Sequence, residues 1–236
     1  MRWLALLLLA TPAAAVTCED VSFRDQSYTT CTVDASKEVL FLFHKDATGE
    51  VYGDFDAVEA GFDVETLAFA MNAGMYHEDR APVGLYIENG RTTQKIITSD
   101  GPGNFGLLPN GVFCINDTSA QVVEALRFVA QDTQCRDATQ SGPMLVIDGE
   151  LHPRFLPDGT SRLIRNGVGT SDDKATAIFV ISNDRVSFHE FGSFFRDHLQ
   201  LNQALFLDGN VSRLHAPQLG RSDRGGRLGP IVGVID

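Results

Sequence analysis

The chain is short of lysine. Lys37, Lys45, Lys95 and Lys174 are the only four among 19 basic residues, against 31 acidic ones, and the net charge is −12. With no basic surplus and no lysine-rich run, sequence-independent attraction to nucleic acid or to an anionic membrane is not expected. The remaining basic residues are arginines, whose planar fork suits phosphate and carboxylate, so each needs a local explanation. Zinc signatures are missing too. There is no Cys-x-x-Cys, and His44, His77, His152, His189, His198 and His215 include no His-Glu-x-x-His and no close pair. A Gly-x-Ser-x-Gly elbow is also absent, which leaves a serine hydrolase of that type without support. Beyond residue 15 no apolar run approaches the roughly 20 residues of a membrane helix, because polar residues interrupt each one. Nor is there a Ser/Gly-rich or Pro-rich linker, so residues 16–236 are expected to form a single domain.

At the N-terminus, Arg2, the apolar stretch from Leu4 to Ala10, and Ala13-Ala14-Ala15 have the layout of a cleavable export signal over residues 1–15. Processing would start the mature chain at Val16, place it in the periplasm or outside the cell, and leave a net charge of −13 after loss of Arg2. All four cysteines (Cys18, Cys31, Cys114, Cys135) lie past that point, and an even number in an exported chain implies two disulfides. Three connectivities are possible. The smaller loops favour Cys18 with Cys31 and Cys114 with Cys135.

Strand patterns dominate. Lys37 to Lys45 and Val51 to Phe55 flank a turn at Asp46-Ala47-Thr48-Gly49, and Gly84 to Arg91 turns at Asn89-Gly90. Further strands are expected at Thr66 to Ala70, Val112 to Ile115, Met144 to Ile147, Leu163 to Val168, Ala175 to Ile181, Arg185 to Phe188, Ala204 to Leu207 and Ile231 to Ile235. Two helices are expected. One covers Thr118 to Asp132 behind a Thr118-x-x-Gln121 capping box, and the other follows Ser187-x-x-Glu190 with Phe191, Phe194, Phe195 and Leu199 on one face. The fold class is therefore α+β, with mixed or antiparallel sheets, two main helices and a cleft. Gly101 to Gly106 matches G-x-G-x-x-G, but Pro109-Asn110-Gly111 and a strand follow instead of a helix, so the segment is read as a loop beside a site.

Four segments put glycine and polar side chains at strand ends: Met71 to Tyr76, Ser141 to Met144, Arg165 to Gly169 and Leu207 to Ser212. Glycine there lets main-chain N–H groups approach an anionic oxygen. In order, NAGMY, NFGLLPNGVF, SGPMLV, RNGVG and LDGNVSRL resemble the phosphodiester glycosidase domain family, particularly its compact bacterial envelope members. The likeness runs from about Lys37 to the C-terminus. It implies a cleft acting on sugar-1-phosphodiesters, with Asn72, Ser141, Gly142, Arg165, Asp208 and Gly209 as the matched site residues.

Breaking an anomeric C–O bond develops positive charge on the sugar, and carboxylates usually serve that chemistry. A phosphate leaving group is a weak base, so neutralising it matters more than protonating it. Asp208 is the expected catalytic carboxylate, with Glu78 or Asp79 as a second; Asp148, before Gly149, reads as a hairpin turn. Asn72 is expected to orient water or a sugar hydroxyl, while Arg165, Ser141, Gly142 and Gly209 bind the phosphate. The glycine-rich segment Gln218 to Pro230 carries Arg221, Arg224 and Arg227 and reads as either a loop over an anionic substrate or a solvated surface loop. His77, Glu78 and Asp79 form the densest group of metal-ligand types, but no metal is assigned and the cofactor is left unknown. The expected partner is a small-molecule or glycan substrate containing a sugar phosphodiester, with no nucleic acid and no stable membrane insertion. A catalytically inactive glycan-binding protein with the same cleft is the competing reading.

Overall fold

The computed structural model describes residues 16–62 and 67–236. The export signal expected over residues 1–15 lies outside the described residues. Three antiparallel sheets make up the fold. In the largest, the strands run in the spatial order Val16–Phe23, Gln26–Asp34, Thr176–Ser182, Asn166–Thr170, Gln203–Asp208, Met144–Ile147 and Glu150–Leu151. A second sheet orders Arg221–Ser222, Leu214–Ala216, Leu67–Asn72, Ile231–Ile235 and Leu40–Phe43. The third orders Arg91–Gln94, Tyr86–Glu88, Asp137–Ser141, Gly111–Asn116 and Ser119–Glu124. All pairings among these strands are antiparallel.

One apolar core joins the three sheets. Phe179 of the large sheet meets Phe69 of the second at 4.7 Å and Phe113 of the third at 5.6 Å, all three fully buried. Burying such a ring is worth about 1.5–3 kcal/mol, so this junction is a principal tie between the sheets. The opposite face of the large sheet is covered by the helix Phe188–Ser193 and the π-turn Phe194–His198, with Phe191, Phe194 and Phe195 buried against it and Tyr28 stacked on Phe194 at 4.1 Å. The second sheet is covered on its outer face by the helix Phe55–Phe62 through Phe55 and Val58. Leu67–Asn72 therefore has both faces buried, and for that reason reads as a continuous apolar run instead of an alternation.

Several expectations are met by local chemistry. Asn89 and Gly90 both take positive φ in the hairpin between Tyr86–Glu88 and Arg91–Gln94, and Asp148 and Gly149 do the same before Glu150–Leu151. The Ser187 capping box is present: Ser187 Oγ accepts from Glu190 N, and Ser187 N donates to a Glu190 oxygen. Disulfides join Cys18 to Cys31, directly opposed on neighbouring strands, and Cys114 to Cys135.

Others are corrected. The expected helix from Thr118 to Asp132 is mostly strand. Ser119–Glu124 pairs along its whole length with Gly111–Asn116, and only Ala125–Ala130 is helical, capped by Glu124. Ala120 and Val122 alternate into the core, whereas Leu126 and Val129 are 57% and 53% exposed and form no buried stripe. Val51 and Leu163 each make one isolated bridge, Leu163 with Val186, and Phe55 opens a helix; the strands expected at Val51 to Phe55 and Arg185 to Phe188 do not form. The hairpin Val16–Phe23 with Gln26–Asp34 was not anticipated, because its turn uses Arg24 and Asp25 at positive φ where glycine or asparagine is usual.

Candidate active site

The site is assembled where the large and second sheets meet at strand ends. Asn166–Thr170 pairs with Gln203–Asp208 normally until Gly167 opposes Phe206. Asn166 then opposes Asp208, leaving Leu207 as an extra residue in a bulge. Such a bulge frees a carbonyl and re-aims the next side chain. Ser141 Oγ donates to the Leu207 carbonyl at 2.9 Å, and Asp208 emerges at the cleft with 7% of its surface exposed.

Asp208 Oδ1 accepts from the main-chain N–H groups of Gly209 (2.6 Å), Asn210 (2.7 Å) and Val211 (3.3 Å). These bonds hold the loop and lower the carboxyl pKa, but burial outweighs them and raises it above the ordinary aspartate value. Oδ2 has no hydrogen-bond partner among the described residues and is the oxygen left for chemistry.

Two chambers adjoin here. The first, about 580 Å³, is lined by Asp208 with Met75, Val83, Leu163 and Asn104. The second, about 650 Å³, is lined by Arg213, Arg224, Arg227 and Asp223 with Gly209 and Ser212. Tyr76, Arg80, Asn210 and Val211 belong to the walls of both, so the chambers form one cleft with a carboxylate end and a guanidinium end. The Arg80 guanidinium lies 5.2 Å from the Tyr76 ring centre. Burial and the nearby Asp208 charge both raise the Tyr76 phenol.

Arg213 carries the positive end. The residue is only 8% exposed, yet among the described residues its guanidinium has no carboxylate within 4 Å and makes no hydrogen bond. Gly225 packs directly on that guanidinium; a Cβ there would collide with it. A buried, unpaired guanidinium facing a cavity is set to receive an anion.

Behind this wall lies a polar network. Asn72 Oδ1 accepts from Arg213 N at 2.9 Å, Asn72 Nδ2 donates to Asn166 Oδ1 at 3.2 Å, and Asn166 Nδ2 returns a bond to the Asn72 carbonyl at 3.0 Å. Ser212 Oγ donates to the carbonyls of Ile164 and Asp208 at 3.0 and 3.1 Å, tying the loop to the neighbouring strand.

Among the site residues matched to the family motifs, only Asp208 and Gly209 line the cleft. Asn72 is fully buried, lines neither chamber and holds the Arg213 main chain through its side-chain oxygen. Ser141 is spent on the bulge carbonyl, and Gly142 is packed against Asn110 and Phe105. Arg165 does not face the cavity. Its Nε donates to the Val186 carbonyl and its Nη2 to that of Ser161, both at 2.9 Å, while the guanidinium lies 3.8 Å from the Phe188 ring centre. Burial lowers its pKa to about 10. Glu78 sits with His77 and Asp79 in an exposed turn outside both chambers. No cluster of three or more His, Cys, Asp or Glu suited to a metal occurs among the described residues.

Arg213 and Arg80 were missed by sequence reasoning. Arg213 lies inside the LDGNVSRL segment, five positions after Asp208, and a buried-cation position on a short strand start gives no periodic signal of its own. Of the three arginines noted in Gln218 to Pro230, Arg224 and Arg227 line the cleft, while Arg221 pairs with Asp223 at 2.9 Å.

A family model described as phosphodiester glycosidase matches residues 65–216. The uncharacterized protein YigE of Escherichia coli (strain K12) is 35% identical over 216 residues, covering 90% of this chain and 84% of the relative. The fold is similar to the catalytic domain of zebrafish N-acetylglucosamine-1-phosphodiester alpha-N-acetylglucosaminidase auto-inhibited by its pro-peptide, with TM-score 0.64, 12% identity, and coverage of 97% of this chain and 85% of that one. It is also similar to a hypothetical protein from Synechocystis, with TM-score 0.62 and 14% identity over 94% of this chain, which spans 62% of the Synechocystis chain. With a family match over most of its length and a relative of this identity, the chain belongs to the phosphodiester glycosidase family.

Proposed function

We propose that the protein is a cell-envelope hydrolase that cuts the bond between a sugar's anomeric carbon and a phosphodiester oxygen. The observation that carries this reading is the cleft itself, with one buried carboxylate at one end, Asp208, and one buried unpaired guanidinium at the other, Arg213. The sugar occupies the Asp208 chamber, where Met75, Val83 and Leu163 offer apolar surface and Asn104 a polar contact. The phosphate lies across the shared wall, against Arg80 and Arg213.

In the reaction, the anomeric C–O bond breaks and its electron pair stays on the phosphate oxygen, giving a phosphomonoester. Water supplies the oxygen that replaces it on the sugar, and its proton passes to Asp208 Oδ2. The raised pKa of Asp208 makes it the better base for that transfer. Arg213 offsets the charge gathering on the departing phosphate, which therefore needs no proton from a second carboxylic acid. This accounts for a cleft in which Asp223, the other lining acid, is held by Arg221 and by Leu214 N instead of facing the sugar.

The test is incubation of the purified chain with a panel of sugar-1-phosphodiesters, beginning with N-acetylglucosamine. Released reducing sugar with an equal amount of phosphomonoester supports the reading. Saturable binding without release points instead to the inactive glycan-binding protein, release of a sugar-1-phosphate would place the cut at the other ester bond of the phosphate, and heavy oxygen from labelled water recovered in the phosphomonoester instead of the sugar would place it at the P–O bond.

A further inference from the structure

The guanidinium chamber holds more positive charge than the single negative charge of a phosphodiester offsets. Arg213 and Arg80 suffice for one negative charge, yet Arg224 and Arg227 line the same chamber with no carboxylate within 4 Å of either among the described residues. Arg24, Arg127, Arg136, Arg162, Arg196 and Arg221 are paired with carboxylates, whereas Arg91, Arg154 and Arg185 are exposed and, among the described residues, unpaired on other surfaces; what sets the exposed Arg224 and Arg227 apart is that they share one chamber with Arg80 and Arg213. Asp223 does not neutralise the chamber, because Arg221 binds both its oxygens and Leu214 N binds one of them again.

The loop bearing these arginines is fastened down. Leu228 N donates to the Gly53 carbonyl at 2.6 Å, the Tyr76 hydroxyl donates to the Arg227 carbonyl at 3.3 Å, and an Arg227 Nη donates to the Val51 carbonyl. Gly53 receives the Arg227 stem so closely that a Cβ there would collide with it. Gly225 lets the same loop lie on Arg213, a residue nine-tenths buried whose guanidinium has no partner among the described residues.

We infer that the group leaving from the sugar carries a second anionic centre, a phosphate or a carboxylate, seated by Arg224 and Arg227 beyond the phosphate held at Arg213. The inference rests on the sugar-1-phosphodiester reading and names the class of its leaving group. It is tested on the full chain by calorimetric titration, at fixed ionic strength, with inorganic phosphate, pyrophosphate and 2-phosphoglycolate. Pyrophosphate, phosphoglycolate or both should bind at least tenfold more tightly than phosphate, the stronger of the two naming the second centre. In the Arg224→Gln/Arg227→Gln double variant that ratio should fall about tenfold. Equal affinity for all three ions, or a preference that survives the double substitution, overturns the second anionic centre and leaves the phosphodiester reading standing. Failure of phosphate to bind at all, or binding indifferent to Arg213→Gln, overturns both.

Discussion

Asn72 and Arg213, 141 positions apart in sequence, are joined by a 2.9 Å hydrogen bond from the Arg213 main-chain N–H to the Asn72 side-chain oxygen. Through it the end of one strand sets the start of another, and so fixes where the cleft-facing guanidinium stands. Asn72→Ala leaves Arg213 N and Asn166 Oδ1 without these buried partners, at a cost of about 1–3 kcal/mol. Displacement of Arg213 should lower kcat/KM on the order of 100-fold. Chemical denaturation together with steady-state kinetics checks both; a stable variant with unchanged kcat/KM contradicts the positioning role.

Arg165 should behave in the opposite way. Its bonds to Val186 and Ser161 and its stacking on Phe188 make it a structural cation under the Asp208 loop. Arg165→Lys cannot serve both carbonyls and retain the planar stack, so the melting temperature should fall by several degrees, about 1–3 kcal/mol in stability. Phosphate affinity in the fraction that remains folded should change little. A loss of phosphate binding with the melting temperature unchanged would return Arg165 to the site.

Sequence exposed the loops and hid their direction. Asn89-Gly90, Asp148-Gly149 and the Ser187 capping box were legible because their conformations depend on neighbouring residues only. Leu207-Asp208-Gly209 was legible for the same reason. Arg165 and Arg213 are the same residue type beside similar polar loops, and the bulge, strand parity and packing that bury one behind Asp208 and aim the other into the cleft are long-range facts. The misread helix has a similar cause. Ala120, Val122 and Val123 fit either periodicity over so short a window, and pairing with Gly111–Asn116 decides it.

Glu88 gives a pH prediction outside the cleft. Burial raises its carboxyl to about 7; the His44 main chain opposes the shift and the charge of Asp137 adds to it. The folded chain therefore keeps a proton that the unfolded chain loses near pH 4.5. Its contribution to stability is complete below that value and is lost as pH rises through about 7. Allowing for solvent screening, the loss is about 1–2 kcal/mol. Urea midpoints at pH 5 and pH 8 should differ less in Glu88→Gln than in the parent chain; an unchanged difference removes Glu88 as the cause.

Asp208→Asn tests the account most directly. Asparagine keeps the Oδ1 acceptor that Gly209, Asn210 and Val211 use, so the loop and the fold should persist while the basic oxygen is lost. On any sugar-1-phosphodiester that the parent chain cleaves, kcat should fall at least 100-fold with the melting temperature within about 2 °C and phosphate binding intact, a loss in the range expected for a general base. Full kcat in the folded variant would contradict the assignment of Asp208 and, with it, the mechanism.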